Sequence, residues 1–265
     1  MQEALDITWW QMLLFSTTLF IPYALNHFYQ LELGKEMSVS VIRMVSQLLL
    51  VGLYLEFVFT LNSLLLNLVW VSVMVLIGAS AILDKSKLPK SVLLWPVVLG
   101  LIAGLFPLIV ILCLAIIRPA PFYSAQYVIP LCGMLLGNSL AGNIVALQNL
   151  FSAFNERKSE YEGALSLGAS PLYASAPFVK AAMQKALAPI LASMSTTGLV
   201  TLPGMMTGQI LGGASPIIAI KYQLLILIAI FVMLTVSVTI SLQLCLRRSI
   251  TKEGRITIHP FGSSS

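Results

Sequence analysis

Long uninterrupted apolar runs restrict what this chain can fold into more than any other feature of its sequence. A helix that crosses about 30 Å of hydrocarbon needs roughly 20 consecutive apolar residues. Seven stretches of about this kind cover residues 8–26, 43–59, 63–83, 92–117, 127–151, 187–211 and 217–246. They leave little chain for a water-exposed domain. The sequence therefore predicts an all-α, polytopic membrane protein, a bundle of about seven transmembrane helices.

Composition excludes several classes of protein. Charged residues make up 9% of the 265 residues and apolar residues 58%, whereas soluble domains carry about 25% charged residues. An ordinary cytosolic enzyme, a disordered regulator and a secreted disulfide scaffold are thereby excluded. The sequence also offers no Ser–His–Asp set and no paired catalytic carboxylates. We therefore expect no catalytic residues and no enzyme activity in this chain.

The distribution of basic residues predicts the orientation in the membrane. If seven helices alternate, 13 of the 15 Lys and Arg residues fall on one face, and only Arg118 and Lys221 fall on the other. Cytoplasmic loops carry the excess of Lys and Arg, so the N-terminus is expected outside and the C-terminus in the cytoplasm. The basic residues form no patch interleaved with aromatic residues, so the net charge of +5 does not indicate nucleic-acid binding.

The predicted domain organisation is a single transmembrane domain over residues 1–248, followed by a polar cytoplasmic tail over 249–265. One cytoplasmic loop, about 153–186, is longer than the other connections. Within it, residues 160–167 can form a short helix, and Gly168 can end that helix in the left-handed conformation. Ser170 can then cap a second helix with Pro171 at its first position. This pattern predicts a short helix, a sharp turn and a helix that returns to the bilayer.

The same loop carries a family motif. The pattern Glu162-Gly163-Ala164-x-x-x-Gly168-Ala169 resembles the Glu-Ala-Ala-x-x-x-Gly coupling motif of ABC transporter permeases, and departs from it at Gly163. Further matching stretches are 126–138, 197–208 with its Leu-Pro-Gly-Met-Met element, and 219–223. Over nearly its whole length the chain is similar to the bacterial FetB family, permeases of an iron-export ABC transporter, and to the plant aluminium-tolerance permeases.

The resemblance implies the permease subunit of an ABC transporter that exports metal ions, with iron as the cargo, across the bacterial inner membrane. It implies a homodimer and a separate ATPase subunit that docks on residues 160–171. The implied coupling residues are Glu162, Gly163, Ala164, Gly168, Ala169, Ser170 and Pro171. The chain contains no Gly-x4-Gly-Lys-Ser/Thr loop, so ATP and Mg²⁺ are expected on the partner and no cofactor on this chain.

A translocation pathway can be proposed from residues that are unusual inside a membrane. Pro203 removes a backbone hydrogen bond, so a helix over 187–211 should kink or unwind there, next to protein or a wet cavity. We hypothesise that Glu56, Met134, Asn138, Pro203, Gly204, Met205 and Met206 line an outer cavity, with Glu56, Met205 and Met206 as metal contacts. Two alternatives stay open: the methionines fill the core, or Glu56 reaches the membrane surface.

Glycines at a spacing of four predict close helix packing. They are Gly133 and Gly137 on one helix, and Gly204, Gly208 and Gly212 on another. Small residues at this spacing let helix backbones approach closely in lipid. The contact can lie within one chain or at a dimer seam, and the sequence favours neither.

Other transport functions also fit part of the sequence. An ion-gradient-driven secondary transporter or channel could use Glu56 as a proton-linked site, but it leaves the loop over residues 162–171 unexplained. An ABC permease for a nucleotide-sugar or another small solute could use Lys221 and Arg118 near the outer face.

Overall fold

The fold is all-helical in a computed structural model that describes residues 7–251 and 253–258. The α-helices are α1 Trp9–Ser16, α2 Phe20–Phe28, α3 Gly34–Leu61, α4 Leu64–Lys85, α5 Lys90–Ile111, α6 Ala125–Glu156, α7 Lys158–Ser166, α8 Pro171–Thr196, α9 Gly204–Leu211 and α10 Pro216–Ser249. A 3₁₀ turn, Thr17–Leu19, joins α1 to α2, and a π-helical turn, Leu112–Ile116, extends α5.

Five of the described helical segments are long and apolar enough to cross a membrane: α3, α4, α5 with its π-helical turn, α6 and α10. The predicted span over 8–26 is divided between α1 and α2 by the 3₁₀ turn. The helical class is thus confirmed, and five described segments are capable of spanning a membrane. The count of seven spans and the orientation of the termini stay predictions.

The predicted span over 187–211 is wrong as a single helix. Helix α8 starts at Pro171, runs for 26 residues and ends at Thr196. Residues 197–203 are not helical, Gly198 has φ +89°, and Pro203 is the N-cap of α9. The chain breaks near Pro203 as its missing N–H predicts, but the break begins six residues earlier, at Thr197. The loop predicted over 153–186 is likewise mostly helix, because α6 continues to Glu156 and α8 starts at Pro171.

The centre of the bundle is the contact between α5 and α10. A Cβ added at Gly104 would lie 2.9 Å from the backbone oxygen of Met233, and one at Gly100 would lie 2.9 Å from that of Ser237. The two glycines therefore let the helix backbones approach directly. Helix α6 packs on the same core, where Asn143 Nδ2 donates to Ser237 Oγ over 2.9 Å. Hydrogen bonds of this kind between helices stabilise packing in a membrane.

Helix α3 lies at the edge of the bundle. Its buried residue, Val58, contacts Ala125 and Ile129 at the start of α6. Most of its other side chains are exposed, including long apolar ones such as Leu48, Leu50 and Leu53. A face this apolar requires lipid or another helix against it.

The C-terminal segment differs from the polar tail predicted over 249–265. Ile250 and Ile256 form an antiparallel bridge, and Thr257 N donates to Ser249 O over 2.8 Å. Ile258 is buried. We call residues 249–251 and 253–258 the C-terminal hairpin. It packs on the bundle because its isoleucines bury apolar surface there, while residues 259–265 lie outside the described part of the chain.

Candidate functional site

The candidate site is the helix–turn–helix segment formed by α7 and the start of α8. Gly168 has φ +90°, which glycine adopts without steric cost. Gly168 N donates to Leu165 O over 2.9 Å, and Ala169 N donates to Ala164 O over 3.1 Å. This pair of bonds is a Schellman motif, which satisfies the last carbonyls of the helix. The predicted glycine stop after a short helix is confirmed.

The start of α8 is fixed by the two residues that follow this turn. Ser170 is the N-cap, and its Oγ accepts a hydrogen bond from Tyr173 N over 3.4 Å. Pro171 occupies the first helical turn, where its missing N–H leaves no bond unmade. The chain therefore turns sharply between α7 and α8, as its sequence predicts.

An aromatic cluster anchors α7 to the bundle. Tyr161 is 2% exposed, and its ring meets that of Phe154 edge-on with centroids 5.3 Å apart. Phe154 stacks on Phe178 of α8 at 5.0 Å, and the Arg157 guanidinium lies 4.9 Å from the centre of the Phe178 ring. Rings at these separations stabilise one another beyond the area that they bury. The inner face of α7 is therefore held by α6 and α8 together.

The outer face of α7 carries the motif residues that are free to meet a partner. Glu162, Gly163 and Gly168 are exposed, and no neighbouring atom lies within 4 Å of a Cβ added at either glycine. Leu167, in the turn, is 91% exposed. Ala164 and Ala169 are half-buried and pack against the core. Ala164 and Ala169 therefore hold the segment against the core. Glu162, Gly163 and Leu167 form an exposed ridge on its outer face.

Ion pairs follow the length of α7. Arg157 Nε donates to Glu160 Oε2 over 2.5 Å, and Lys158 Nζ lies 3.6 Å from Glu162 Oε1. The hydrogen bond from Arg157 lowers the pKa of Glu160, and the same bond raises the pKa of Arg157. Both groups are solvent-exposed, so the pair contributes little to stability and mainly fixes the charge pattern of the ridge.

The C-terminal hairpin contacts α7, which the sequence analysis missed. Tyr161 Oη donates to Gly254 O over 3.1 Å. Gly254 has φ +84°, and a Cβ there would lie 2.7 Å from Leu165 Cδ1. Between α7 and the hairpin lies a cleft of about 520 Å³ with Lys158, Glu162, Glu253 and Arg255 in its wall. The available signal was the Glu253-Gly254 turn between isoleucines, a hairpin pattern.

The predicted pathway residues are spread over three helices. Glu56 is exposed on α3, about 200° around the helix from the buried Val58. Asn138 is exposed, and its Nδ2 donates to Met134 O of its own helix over 2.8 Å. Met134 and Met205 pack against the core, Met206 is half-buried, and Pro203 and Gly204 begin α9. The described contacts do not join Glu56 to the methionines, so the outer cavity stays a prediction.

The predicted packing glycines behave differently from one another. A Cβ at Gly133 would lie 3.4 Å from Met74 Cε of α4, so Gly133 faces another helix of the same chain. At Gly137, Gly204 and Gly208 no such neighbour lies within 4 Å, and Gly212 meets only the backbone of its own helix. The close helix contacts form at Gly100, Gly104 and Gly142 instead. The spacing of four between Gly100 and Gly104 was the signal that the analysis missed.

The chain matches a known protein family over most of its length. The model of the uncharacterised protein family UPF0014 matches residues 9–250, which is most of the chain. The chain belongs to the UPF0014 family. The resemblance to the FetB family is thereby confirmed, because a protein named FetB is among the relatives of this chain.

Three curated relatives show how far the similarity of this UPF0014 chain extends. Protein ALUMINUM SENSITIVE 3 of Arabidopsis thaliana is 34% identical over 240 residues, 90% of this chain and 86% of the relative. UPF0014 membrane protein YjkA of Bacillus subtilis is 36% identical over 213 residues, 79% and 83% of the two chains. Probable iron export permease protein FetB of Escherichia coli is 30% identical over 229 residues, 86% of each chain. No solved structure matches.

The names of these relatives agree with the fold. Two bacterial relatives are named UPF0014 membrane proteins and one is named a permease. Within its described residues, this UPF0014 chain has five helices that are long and apolar enough to cross a bilayer. The chain is therefore a multi-pass membrane protein of a family that includes permeases.

Proposed function

We propose that this chain is the permease subunit of an ABC transporter that exports metal ions from the cytoplasm. A separate ATPase subunit docks on α7 and the turn after it, and supplies the energy. The observation that carries the proposal is the anchored helix–turn–helix itself. Its aromatic residues are buried, whereas Glu162, Gly163 and Leu167 form a solvent-exposed ridge on the opposite face of the helix.

The aromatic packing of α7 against α6 and α8 allows α7 to transmit movement to these helices. A helix held on one side by three packed aromatic rings moves with α6 and α8 as a body. A partner that pushes on Glu162 and Leu167 therefore acts on both long helices at once. A loose loop at this place could not transmit such a movement.

Iron is the proposed cargo because a relative carries that function in its name. Probable iron export permease protein FetB covers 86% of this chain. Among the described residues no group of three or more His, Cys, Asp and Glu side chains could hold a metal ion. We therefore propose weak, transient contacts during passage, with Glu56, Met205 and Met206 as candidates and with Met134, Asn138, Pro203 and Gly204 along the same route.

A homodimer is proposed for the assembled permease, since one chain supplies half of the membrane part of an ABC transporter. A Cβ added at Gly137, Gly204 or Gly208 has no neighbouring atom of the described protomer within 4 Å. A helix of a second copy could therefore pack closely against these glycines. Gly208→Leu should then shift the purified protein from dimer to monomer. A dimer that survives both Gly208→Leu and Gly137→Leu would place the seam elsewhere.

Transport into inverted membrane vesicles tests the proposal. Wild-type vesicles should accumulate radioactive iron only when ATP is present, and collapse of the proton gradient should leave the rate unchanged. Uptake that needs a proton gradient and is lost in Glu56→Gln would support a secondary transporter instead. Uptake of a nucleotide-sugar in place of iron would retain the ATP-driven mechanism and replace the cargo.

A further inference from the structure

A second site lies in a groove between α8 and α10. Its volume is about 780 Å³. Four polar side chains line it: Lys180 and Gln184 from α8, and Gln243 and Arg247 from α10. Each pair is spaced by four residues, so its members stand one turn apart on the same helix face. The groove therefore presents two cations and two amides to one space.

Within the described part of the chain, none of the four polar side chains of the groove takes part in an ion pair or a hydrogen bond. Among the described residues, no carboxylate lies within ion-pairing distance of Lys180 or Arg247, and no hydrogen bond engages the side chain of Gln184 or Gln243. By contrast, the nearby Lys185 donates to Asn149 Oδ1 over 2.8 Å. The groove lining in the described chain contains no Asp, Glu, His or Cys. Two unpaired cations without a carboxylate repel a free metal ion and attract an anion.

The rest of the groove is apolar. Its apolar lining residues are Leu172, Ala176, Val179, Met183, Leu187, Ala188 and Leu191 of α8 and Leu246 of α10. At about 1.5 Å per residue, Leu191 lies about 10 Å beyond Gln184 along α8, away from α7. Arg247 stands two residues before the end of α10, which leads into the hairpin against α7. The two cations therefore stand in the half of the groove nearer α7, and beyond Gln184, away from α7, its α8 lining is entirely apolar.

This order of polarity matches one molecule of lipid. Basic pockets between transmembrane helices on the cytoplasmic side bind anionic head groups, and apolar walls beyond them suit acyl chains. We infer that the groove between α8 and α10 binds an anionic phospholipid, with its phosphate at Lys180 and Arg247 and a chain along Leu187 and Leu191. The bound lipid joins the helix that follows α7 to the helix that precedes the hairpin.

The test measures phospholipid binding by the purified full-length chain with native mass spectrometry. Phosphatidylglycerol and phosphatidylcholine are titrated separately onto the delipidated wild type, Lys180→Gln/Arg247→Gln and a control, Lys35→Gln/Arg248→Gln. The control removes two exposed cations outside the groove. The groove variant should bind phosphatidylglycerol about 30-fold more weakly, as two lost cations predict. The control should stay within about threefold of the wild type.

Several results would overturn the inference. The first is equal binding of phosphatidylglycerol by the groove variant and the wild type. The second is equally tight binding of phosphatidylcholine by the wild type. Competition by soluble glycerol phosphate at the affinity of the lipid would identify a soluble anion instead. Dissociation of a dimer by the groove variant, with lipid binding unchanged, would identify a second copy as the occupant.

A location test does not depend on the charge variants. In a chain whose Trp9, Trp10, Trp70 and Trp95 are replaced by Phe, Leu187→Trp introduces the sole Trp in the groove wall, and Ile228→Trp introduces the sole Trp on an exposed face of α10 outside it. Brominated phosphatidylglycerol should quench the fluorescence of the Trp in the groove, and this quenching should saturate. Half-maximal quenching should need a lower mole fraction of brominated lipid at the groove position than at the control position. Equal quenching at the two positions would contradict a bound lipid in the groove.

Discussion

The hydroxyl of Tyr161 donates a hydrogen bond to the backbone oxygen of Gly254 over 3.1 Å. The two residues are 93 positions apart, and the bond joins the predicted coupling helix to the hairpin that ends the described chain. Tyr161 also packs against Phe154. Helix α7 is therefore held by its neighbouring helices and by the C-terminal hairpin at the same time, and a force on α7 reaches α10 as well as α6 and α8.

Tyr161→Phe should loosen the hairpin without disturbing the aromatic cluster. The ring remains, while the lost hydrogen bond leaves Gly254 O without its donor at a cost of about 1 kcal/mol. Hydrogen exchange at the hairpin amides should speed up about fivefold, and exchange in the centre of α6 should not change. Unchanged exchange throughout the hairpin would mean that the bond contributes nothing to its position.

The same bond predicts a response to alkaline pH. Burial raises the pKa of Tyr161 above its ordinary value of 10.0. Its protonated form is therefore favoured by folding, so the stabilisation is complete below pH 10 and is lost as pH rises through the raised pKa. The difference in unfolding temperature between wild type and Tyr161→Phe should stay constant from pH 7 to about 10 and shrink above it. A difference that grows with pH would contradict this assignment.

Two glycine-to-alanine changes in the site should act in opposite directions. Gly254→Ala forces a Cβ into φ +84° and to 2.7 Å from Leu165 Cδ1, so it should destabilise the hairpin by about 1–2 kcal/mol. Gly163→Ala adds a Cβ to a helix position with open space around it. It should stabilise α7 by about 0.5–1 kcal/mol. Hydrogen exchange measured separately at the hairpin amides and at the α7 amides distinguishes the two effects. Exchange should speed up in the hairpin of Gly254→Ala and slow down in α7 of Gly163→Ala.

The contact between α5 and α10 predicts a stability effect far from α7. Gly100→Ala would bring a Cβ within 2.9 Å of Ser237 O, and overpacking of this kind costs about 1–3 kcal/mol. The matched control is Gly52→Ala on α3, where no atom lies within 4 Å. Thermal unfolding in detergent should show a lower midpoint for Gly100→Ala only. Equal midpoints would contradict the close approach of these helices.

Local patterns predicted the local structure well. Gly168, Ser170 and Pro171 each have one dominant backbone role, and the structure has the left-handed stop, the N-cap and the first-turn proline at those positions. The apolar runs likewise predicted the helical class. Such signals succeed because they act over a few neighbouring residues and do not depend on the rest of the fold.

What the sequence could not predict depends on contacts between distant segments. Hydropathy alone placed one helix over 187–211, whereas capping at Ser170 and the break before Pro203 set the real bounds. The hairpin lies in a segment that was predicted to be a polar tail, and it is held by contacts with Tyr161 and Leu165, which lie about 90 residues away. A sequence motif predicted the coupling residues. No motif marks the groove at Lys180 and Arg247, because its residues come from two helices that are distant in sequence.

Co-purification from native membranes tests the central claim most directly. The wild-type chain, tagged at its C-terminus, should bring down an ATPase subunit in about equal amount, together with ATP hydrolysis. Glu162→Lys reverses a charge on the exposed ridge, and Gly168→Val places a β-branched residue at φ +90°. Each should reduce recovery of the ATPase at least about tenfold, whereas Gly163→Ala should retain it. A wild-type chain that purifies alone and transports without ATP, or full recovery of the ATPase with both variants, would contradict the account.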